Sequence, residues 1–199
     1  MTFRVFRTIR LEDTIRIPPE KFGLDLAKAA EEQLRHRYEG IMDEELGYVL
    51  KVIDVDVDPI GRIVAGDGAT YHRATFTLLT FYPVLQEVVE GEVVEVQDFG
   101  VFVRIGPVDA LLHVSQILDD YVTYDEKQGA LLGKQTHRLL RKGDIMRVRI
   151  AAVSLSGGGT GKIGATARQP FLGKLEWINE DVMKARGAEA KAQAQEAAK

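Results

Sequence analysis

Phe99 and Phe102 stand three residues apart in VQDFGVFVRI, residues 96–105, where alternation should turn both rings outward. If Val101, Val103 and Ile105 face a core, as the period of two in a strand requires, Phe102 and Arg104 face the other way. In the preceding EGEVVEVQ, Val94 and Val96 share one face, so Glu95, Gln97 and Phe99 fall on the opposite one. Gly100 is then the expected bend or bulge that resets the phase. The same parity in ALLHVS buries Leu112 and Val114 and exposes His113. In DIMRVRI it buries Met146, Val148 and Ile150 and exposes Arg147 and Arg149, and in KIGATAR it buries Ile163, Ala165 and Ala167 and leaves Lys162 and Arg168 outside. Outward rings beside a few cations suit one chemistry well. A planar base stacks on a ring for on the order of 1–3 kcal/mol while cations follow the phosphates, and neither contact demands a particular base. Single-stranded RNA is commonly held this way. Parity alone leaves a second reading open, in which a loop or another domain covers the rings, His113 makes a local hydrogen bond and the cations form an ordinary solvated face.

Other chemistries find less support. The chain has no cysteine, and His36, His72, His113 and His137 lie far apart without ligand spacing, so no metal or other cofactor is expected. DVDVD puts Asp54, Asp56 and Asp58 on one strand face, as a calcium loop would begin. Pro59 then stands where that loop needs glycine, and Ala65 where it needs the bidentate glutamate, so a solvated strand face is the better reading. SGGGTGKI resembles a phosphate-cradling loop, but Ser156 replaces its first glycine and Ile163 its final Ser or Thr, which leaves a hairpin turn. No Ser, His and Asp grouping and no carboxylate pair set for acid-base work stands out. The formal charge of -4 and pI near 5.6 argue against binding by bulk phosphate neutralisation, so any nucleic-acid contact must be local. Mean hydropathy of -0.10 and the absence of a long apolar run or leader pattern point to a soluble cytoplasmic protein with no membrane partner.

The elements that must position these residues fall into two sets, giving an α+β class overall. Residues 1–82 read as a small α+β domain. It opens with a strand over residues 2–17, stopped by Pro18 and Pro19. A helix follows, with Leu26, Ala27, Ala30, Leu34 and Tyr38 on its apolar stripe, Asp25 as N-cap and Gly40 at its end. Two long strands, GYVLKVIDVDVD and ATYHRATFTLLTFY, flank the turn-rich PIGRIVAGDG. From residue 83 to 182 the pattern becomes five short strands, EGEVVEVQ, GVFVRI, ALLHVS, DIMRVRIAAV and KIGATAR, with an irregular stretch over residues 118–142. Five such strands fit a closed OB-type barrel. Residues 183–199 are rich in Ala, Lys, Glu and Gln without an apolar stripe, and are expected to be a flexible or frayed helical tail.

GEVVEVQDFGVFVRIGPVDALLHVSQI, followed by KGDIMRVRIAAV and GKIGATAR, resembles the S1 RNA-binding motif, a five-stranded OB-fold. Gly91, Phe99, Gly100, Phe102, His113, Ser115, Gly143 and Asp144 match it position by position. The resemblance implies RNA contacts at Phe99, Phe102 and His113, with Lys162 at a turn that often carries a contacting cation. S1 motifs occur in ribonucleases, translation factors and polymerase subunits, so the motif alone also allows a module of an RNA-processing or translation-initiation complex. IRLEDTIRIPPEKFG, LRHRYEG, ELGYVLKVIDVDV and GDGATYH, leading into LQEVVEGEVVEV, resemble the large stalk subunits, called E prime, of archaeal DNA-directed RNA polymerase. That resemblance implies an RNP-like tip domain docking into the polymerase core through Gly66, Asp67, Gly68, Ala69, Thr70 and Tyr71 and the PPEKFG turn. It also implies a barrel near the RNA exit path and no active site in the chain itself. The same family forms its stalk as a heterodimer with a smaller helical RNA polymerase protein, called F, which is the expected partner. Residues 89–182 carry 11 Lys or Arg against 13 Asp or Glu, so weak, sequence-tolerant and salt-sensitive RNA binding is expected.

Overall fold

A computed structural model describes residues 5–155 and 161–197. The chain forms two compact units, with the first division at Val84 and Leu85. In the first unit the elements run β1 (Phe6–Ile17), a 3-10 turn (Pro19–Lys21), α1 (Leu26–Tyr38), β2 (Met42–Asp43), β3 (Gly47–Val57), β4 (Arg62–Ile63) and β5 (Thr70–Phe81). They build an antiparallel sheet of order β1-β5-β3-β2, with β4 also paired to β5. Residues 2–4 of the expected first strand lie outside the described residues.

Helix α1 covers one face of this sheet. Asp25 caps it by accepting from Lys28 N, and Tyr38 at its far end donates to Asp13 Oδ2 at 2.7 Å. Ala29, Ala30 and Leu34 are buried against Ile15, Ile17, Val49, Val52, Ala74, Phe76 and Leu78. Ala29, and not Ala27, completes the buried stripe, and Ala27 is exposed. Two alanines on the same face allow close approach to the sheet, because neither carries atoms beyond Cβ. Asp54, Asp56 and Asp58 are all exposed on β3 and the turn after it, and Asp58 Oδ1 accepts from Ile60 N at 2.9 Å. Among the described residues no cluster of three His, Asp or Glu side chains has a metal-holding arrangement.

In the second unit the elements are β6 (Val88–Gln97), β7 (Gly100–Arg104), β8 (Asp109–His113), a 3-10 turn (Val114–Gln116), β9 (Val122–Asp125), β10 (Ala130–Gly133), β11 (Leu139–Arg141), β12 (Ile145–Ser154), β13 (Lys162–Thr166), β14 (Gly173–Lys174) and α2 (Leu175–Ala197). Strands β6, β7 and β8 form an antiparallel meander. β8 pairs in parallel with β13, β13 with β12, and β12 with β6, which closes a five-stranded barrel. Val93, Val101, Val103, Ala110, Leu112, Met146, Val148, Ile150, Ile163 and Ala165 fill it.

Three features depart from the sequence reading. The phase of β6 resets at Val94, between the pairs Val93↔Val103 and Glu95↔Phe102, and not at Gly100. Val93 is therefore the buried residue, while Val94 is half-buried. Residues 118–142 are not irregular: β10 forms a sheet with β9 on one side and β11 on the other, burying Leu131 and Leu140. The C-terminal helix starts at Leu175, with Trp177 and Ile178 buried in its first turn, and runs on to Ala197. Residues 156–160, the glycine-rich part of SGGGTGKI, lie outside the described residues.

Candidate nucleic-acid interface

Phe99 occupies the turn between β6 and β7, and Phe102 projects from β7. Their ring centroids lie 6.2 Å apart, edge to face at 87°, and Phe99 is 45% exposed. Gly100 brings the turn against β8. A Cβ there would sit 2.3 Å from Leu112 O and 2.9 Å from His113 Cα, so the position excludes any larger residue. Phe99 O accepts from Val114 N at 2.8 Å, and Gly100 pairs with His113 across the ladder, which places His113 beside the rings. His113 is exposed. Its Nδ1 accepts from Ser115 N at 3.2 Å and lies 2.8 Å from Ser115 Oγ. The hydrogen of the neutral ring therefore belongs on Nε2, where it has no partner among the described residues and can donate to a ligand.

The structure brings Phe99, Phe102 and His113 onto one face of β7 and β8, and Leu111, cross-strand from Phe102 and half-buried, adds an apolar floor. Parity with Asp109 and His113 was the available signal for Leu111. Val114, expected to be buried, is only half-buried because the strand gives way there to the 3-10 turn.

The cations are placed less simply. Arg104 follows Phe102 on β7, but Asp109 binds its guanidinium at 2.9 and 3.1 Å and raises its pKa through these hydrogen bonds. Arg168 follows β13 near the His113 end of β8 and pairs with Asp119. Lys162 is exposed at the other end of β13, with no ion pair among the described residues. Arg147, bonded to Glu90 at 2.7 and 2.9 Å, and Arg149, donating to Gln86 O at 3.0 Å, lie on β12, two strands from the rings by way of β6 and three by way of β8 and β13. Glu95, opposite Phe102, is also on the ring face and accepts from Gln97 Nε2. The face is thus aromatic first and only weakly cationic, so stacking must provide most of any attraction.

A second constellation sits on the loop joining β3 to β5 in the first unit. Asp67 accepts from Arg16 Nε and Nη2 at 2.8 and 2.7 Å, from the Tyr71 hydroxyl at 2.7 Å and from Ala69 N at 3.2 Å. The Arg16 hydrogen bonds, first, hold its carboxyl well below the usual carboxylate range, and the Tyr71 phenol is pushed up in return. Gly66, at φ +87°, turns the chain, and Gly68 passes close to Pro19. Ala69 is buried, and Thr70 Oγ1 lies 3.1 Å from His72 Nε2. The clamp fixes a loop that exposes Ile60 and Ile63, at 80% and 77%, along with Val64. Neither Arg16 nor these apolar residues stood out in the sequence, since the clamp joins positions 51 apart.

Comparison with known proteins agrees with both halves. Residues 12–68 match the SHS2 domain found in the N terminus of Rpb7p/Rpc25p/MJ0397, and residues 82–159 match the S1 RNA binding domain. DNA-directed RNA polymerase subunit Rpo7 of Sulfolobus acidocaldarius is 41% identical over 181 residues, covering 91% of this chain and 99% of that protein. The Saccharolobus shibatae protein of the same name is 44% identical over 177 residues, 88% of this chain and 98% of that protein. DNA-directed RNA polymerase II subunit rpb7 of Schizosaccharomyces pombe is 26% identical over 165 residues, 81% of this chain and 94% of that protein. With an SHS2 domain ahead of an S1 barrel and such identity along nearly its whole length, the chain belongs to the archaeal Rpo7 family of DNA-directed RNA polymerase subunits.

Proposed function

We propose that this chain is a non-catalytic stalk subunit that holds emerging single-stranded RNA on its S1 barrel while the first domain docks on the polymerase core. The carrying observation is the grouping of Phe99, Phe102 and His113 on one exposed face of a barrel that belongs to the S1 family. Arg104, Lys162 and Arg168 border that face, and Arg147 and Arg149 act at most on RNA that wraps around the barrel. Docking is assigned to the loop of Gly66, Asp67, Gly68, Ala69, Thr70 and Tyr71, whose clamp presents exposed apolar side chains next to it. The smaller helical stalk protein, F, is the proposed heterodimer partner, and the cytoplasm the proposed compartment. No helix among the described residues is long and apolar enough to cross a membrane. No cofactor is assigned.

Two measurements test the reading. The tagged chain should retain the small stalk partner and core polymerase from an archaeal extract, and failure to do so would refute the stalk assignment. Replacing Phe99, Phe102 and His113 together by Ala should weaken binding of oligouridylate roughly tenfold or more, given 1–3 kcal/mol per stacked base, while retention of the small stalk partner stays unchanged. Equal RNA binding by the triple variant would mean that the rings are covered or that RNA runs elsewhere.

A further inference from the structure

We propose that the open face of the β9–β10–β11 sheet is a second single-stranded RNA contact, built on Tyr121 and Lys134, that continues the path of the Phe99 and Phe102 surface. The inference rests on the RNA-binding reading above and adds a site to it.

Tyr121 is 66% exposed, and Lys134 Nζ lies 4.4 Å from its ring centroid. Lys134 N donates to Tyr121 O at 2.9 Å, so backbone holds the pair together. With an ammonium on one ring face and the residue open to solvent, the other face is available to a planar base, and the ammonium lies within reach of that nucleotide's phosphate. The ladder supports the same surface. Leu131 and Leu140, paired with each other, point into the unit and are buried, whereas Leu132, 37% exposed, pairs with Thr123 and Leu139 on the opposite side.

Charge distribution singles out this segment. In the barrel and the sheet beside it, Arg104, Arg138, Arg147, Arg168 and Lys174 are each tied to a carboxylate. Of the cations there without a carboxylate partner among the described residues, Lys127, Lys134, Arg141 and Lys142 all fall within residues 118–142. Only Arg149 and Lys162 lie elsewhere. The acids of the segment are largely engaged: Asp119 by Arg168, Asp120 by the backbone of Gln135 and Thr136, and Asp125 by the backbone of Lys127 and Gln128. Glu126 alone has no such partner. Phosphate needs unneutralised cations, and the barrel with its adjoining sheet keeps most of them here.

The segment follows the His113 end of β8 in the chain and is fastened to the end of β13 that runs beside it. Gln116 O accepts from Ala167 N, Gln116 Oε1 accepts from the Thr166 hydroxyl, and Asp119 meets Arg168 just before Tyr121. Asp120 then binds Tyr121 N at 2.6 Å and Thr136 N at 2.9 Å, joining the start of β9 to the β10–β11 loop.

The test uses the full chain and oligouridylates of about 5 and about 15 nucleotides, lengths within the range of OB-fold sites, by fluorescence anisotropy across a salt series. Y121A/K134A should bind the longer oligomer roughly tenfold more weakly and leave the shorter one unchanged. It should also reduce the slope of log K against log salt by about 0.7, the value for one lost cation on a single strand. Tyr121→Phe should retain wild-type binding, because the ring and not the hydroxyl carries the contact. A 4-thiouridine-containing 15-mer should crosslink to the wild-type chain within residues 118–142. This readout holds even if the double variant folds poorly. Unchanged affinity and slope, or crosslinks confined to the Phe99–His113 region, would overturn the proposal while leaving the ring surface in place. Loss of stalk-partner retention without loss of RNA affinity would make the face a protein contact and overturn it as well. No RNA binding by the wild-type chain at either length would remove both sites.

Discussion

Gly100 shows how one residue can set a surface. Its missing Cβ lets the β6–β7 turn press on Leu112 O and His113 Cα, so the backbone that carries Phe99 is pinned against the strand that carries His113. Gly100→Ala would place an atom 2.3 Å from a backbone oxygen at φ +155°, and backbone yields only by shifting. We expect a loss of about 2 kcal/mol or more in urea unfolding, the range for backbone strain of this kind, together with weaker oligouridylate binding as Phe99 is displaced from His113. Unfolding and RNA curves that both superimpose on wild type would show that the turn can relax freely. At this scale the rings were legible in sequence, because Val101, Val103 and Ile105 fix which side of β7 is core and hence where Phe102 points. The state of the cations was not. Arg104, Arg147 and Arg168 read as free charges until ladder register and tertiary approach bring Asp109, Glu90 and Asp119 to them, the last two from 57 and 49 positions away.

Among the elements, the loop between β3 and β5 depends most on a single charge. Asp67 takes hydrogen bonds from two side chains and a backbone amide, and its folded carboxyl sits below the usual range. A group depressed in this way stabilises the loop above its unfolded pKa, about 4, and ceases to do so as pH falls from there through the folded value. The protection factor of the Ala69 amide should therefore be flat at neutral pH and decline only below about pH 4. In Asp67→Asn it should be several-fold lower at pH 7, because the charge-assisted bonds from Arg16 and Tyr71 are weakened. Equal protection in the variant at pH 7 would mean that Asp67 does not hold the loop. Legibility was uneven at this scale too. Helix α1 announced itself through Asp25 and the Leu34 stripe, and the barrel strands through alternation. The bulge in β6 was misplaced because Val93 and Val94 are adjacent and chemically alike, so either phase buries a valine. Strands β9 to β11 escaped notice because each has only three or four residues, too few to establish a period, and their turns are charged. Helix α2 was missed at its start because, among its residues up to 186, Trp177 and Ile178 in the first turn are the buried ones, which leaves little periodic pattern to read.

For the whole molecule, the charge balance sets what kind of RNA binder this can be. A chain of net charge -4, whose residues 89–182 hold more acids than bases, cannot gain affinity from a broad positive field. What it offers is stacking on rings, plus the few lysines without a carboxylate partner among the described residues. If Lys127, Lys134, Lys142 and Lys162 are the cations that meet phosphate, the slope of log K against log salt for the free chain should be about -3, from roughly 0.7 per cation on a single strand. A slope steeper than about -5 would require a cationic surface beyond those four lysines and would contradict their assignment as the phosphate contacts. On the proposed stalk reading, binding of this kind would be weak in solution and would still suffice on an assembled polymerase. RNA leaving a bound enzyme is presented at an effective concentration that reaches the millimolar range for short tethers, so micromolar affinity already fills the site. Adding salt up to about 0.3 M should then release free oligouridylate from the isolated chain while transcript crosslinking to the barrel of the assembled enzyme persists, because the tether compensates for the lost counterion term. If the two signals fell in parallel, tethering would contribute nothing, and the barrel would have to bind RNA through contacts stronger than its exposed rings and few free lysines provide.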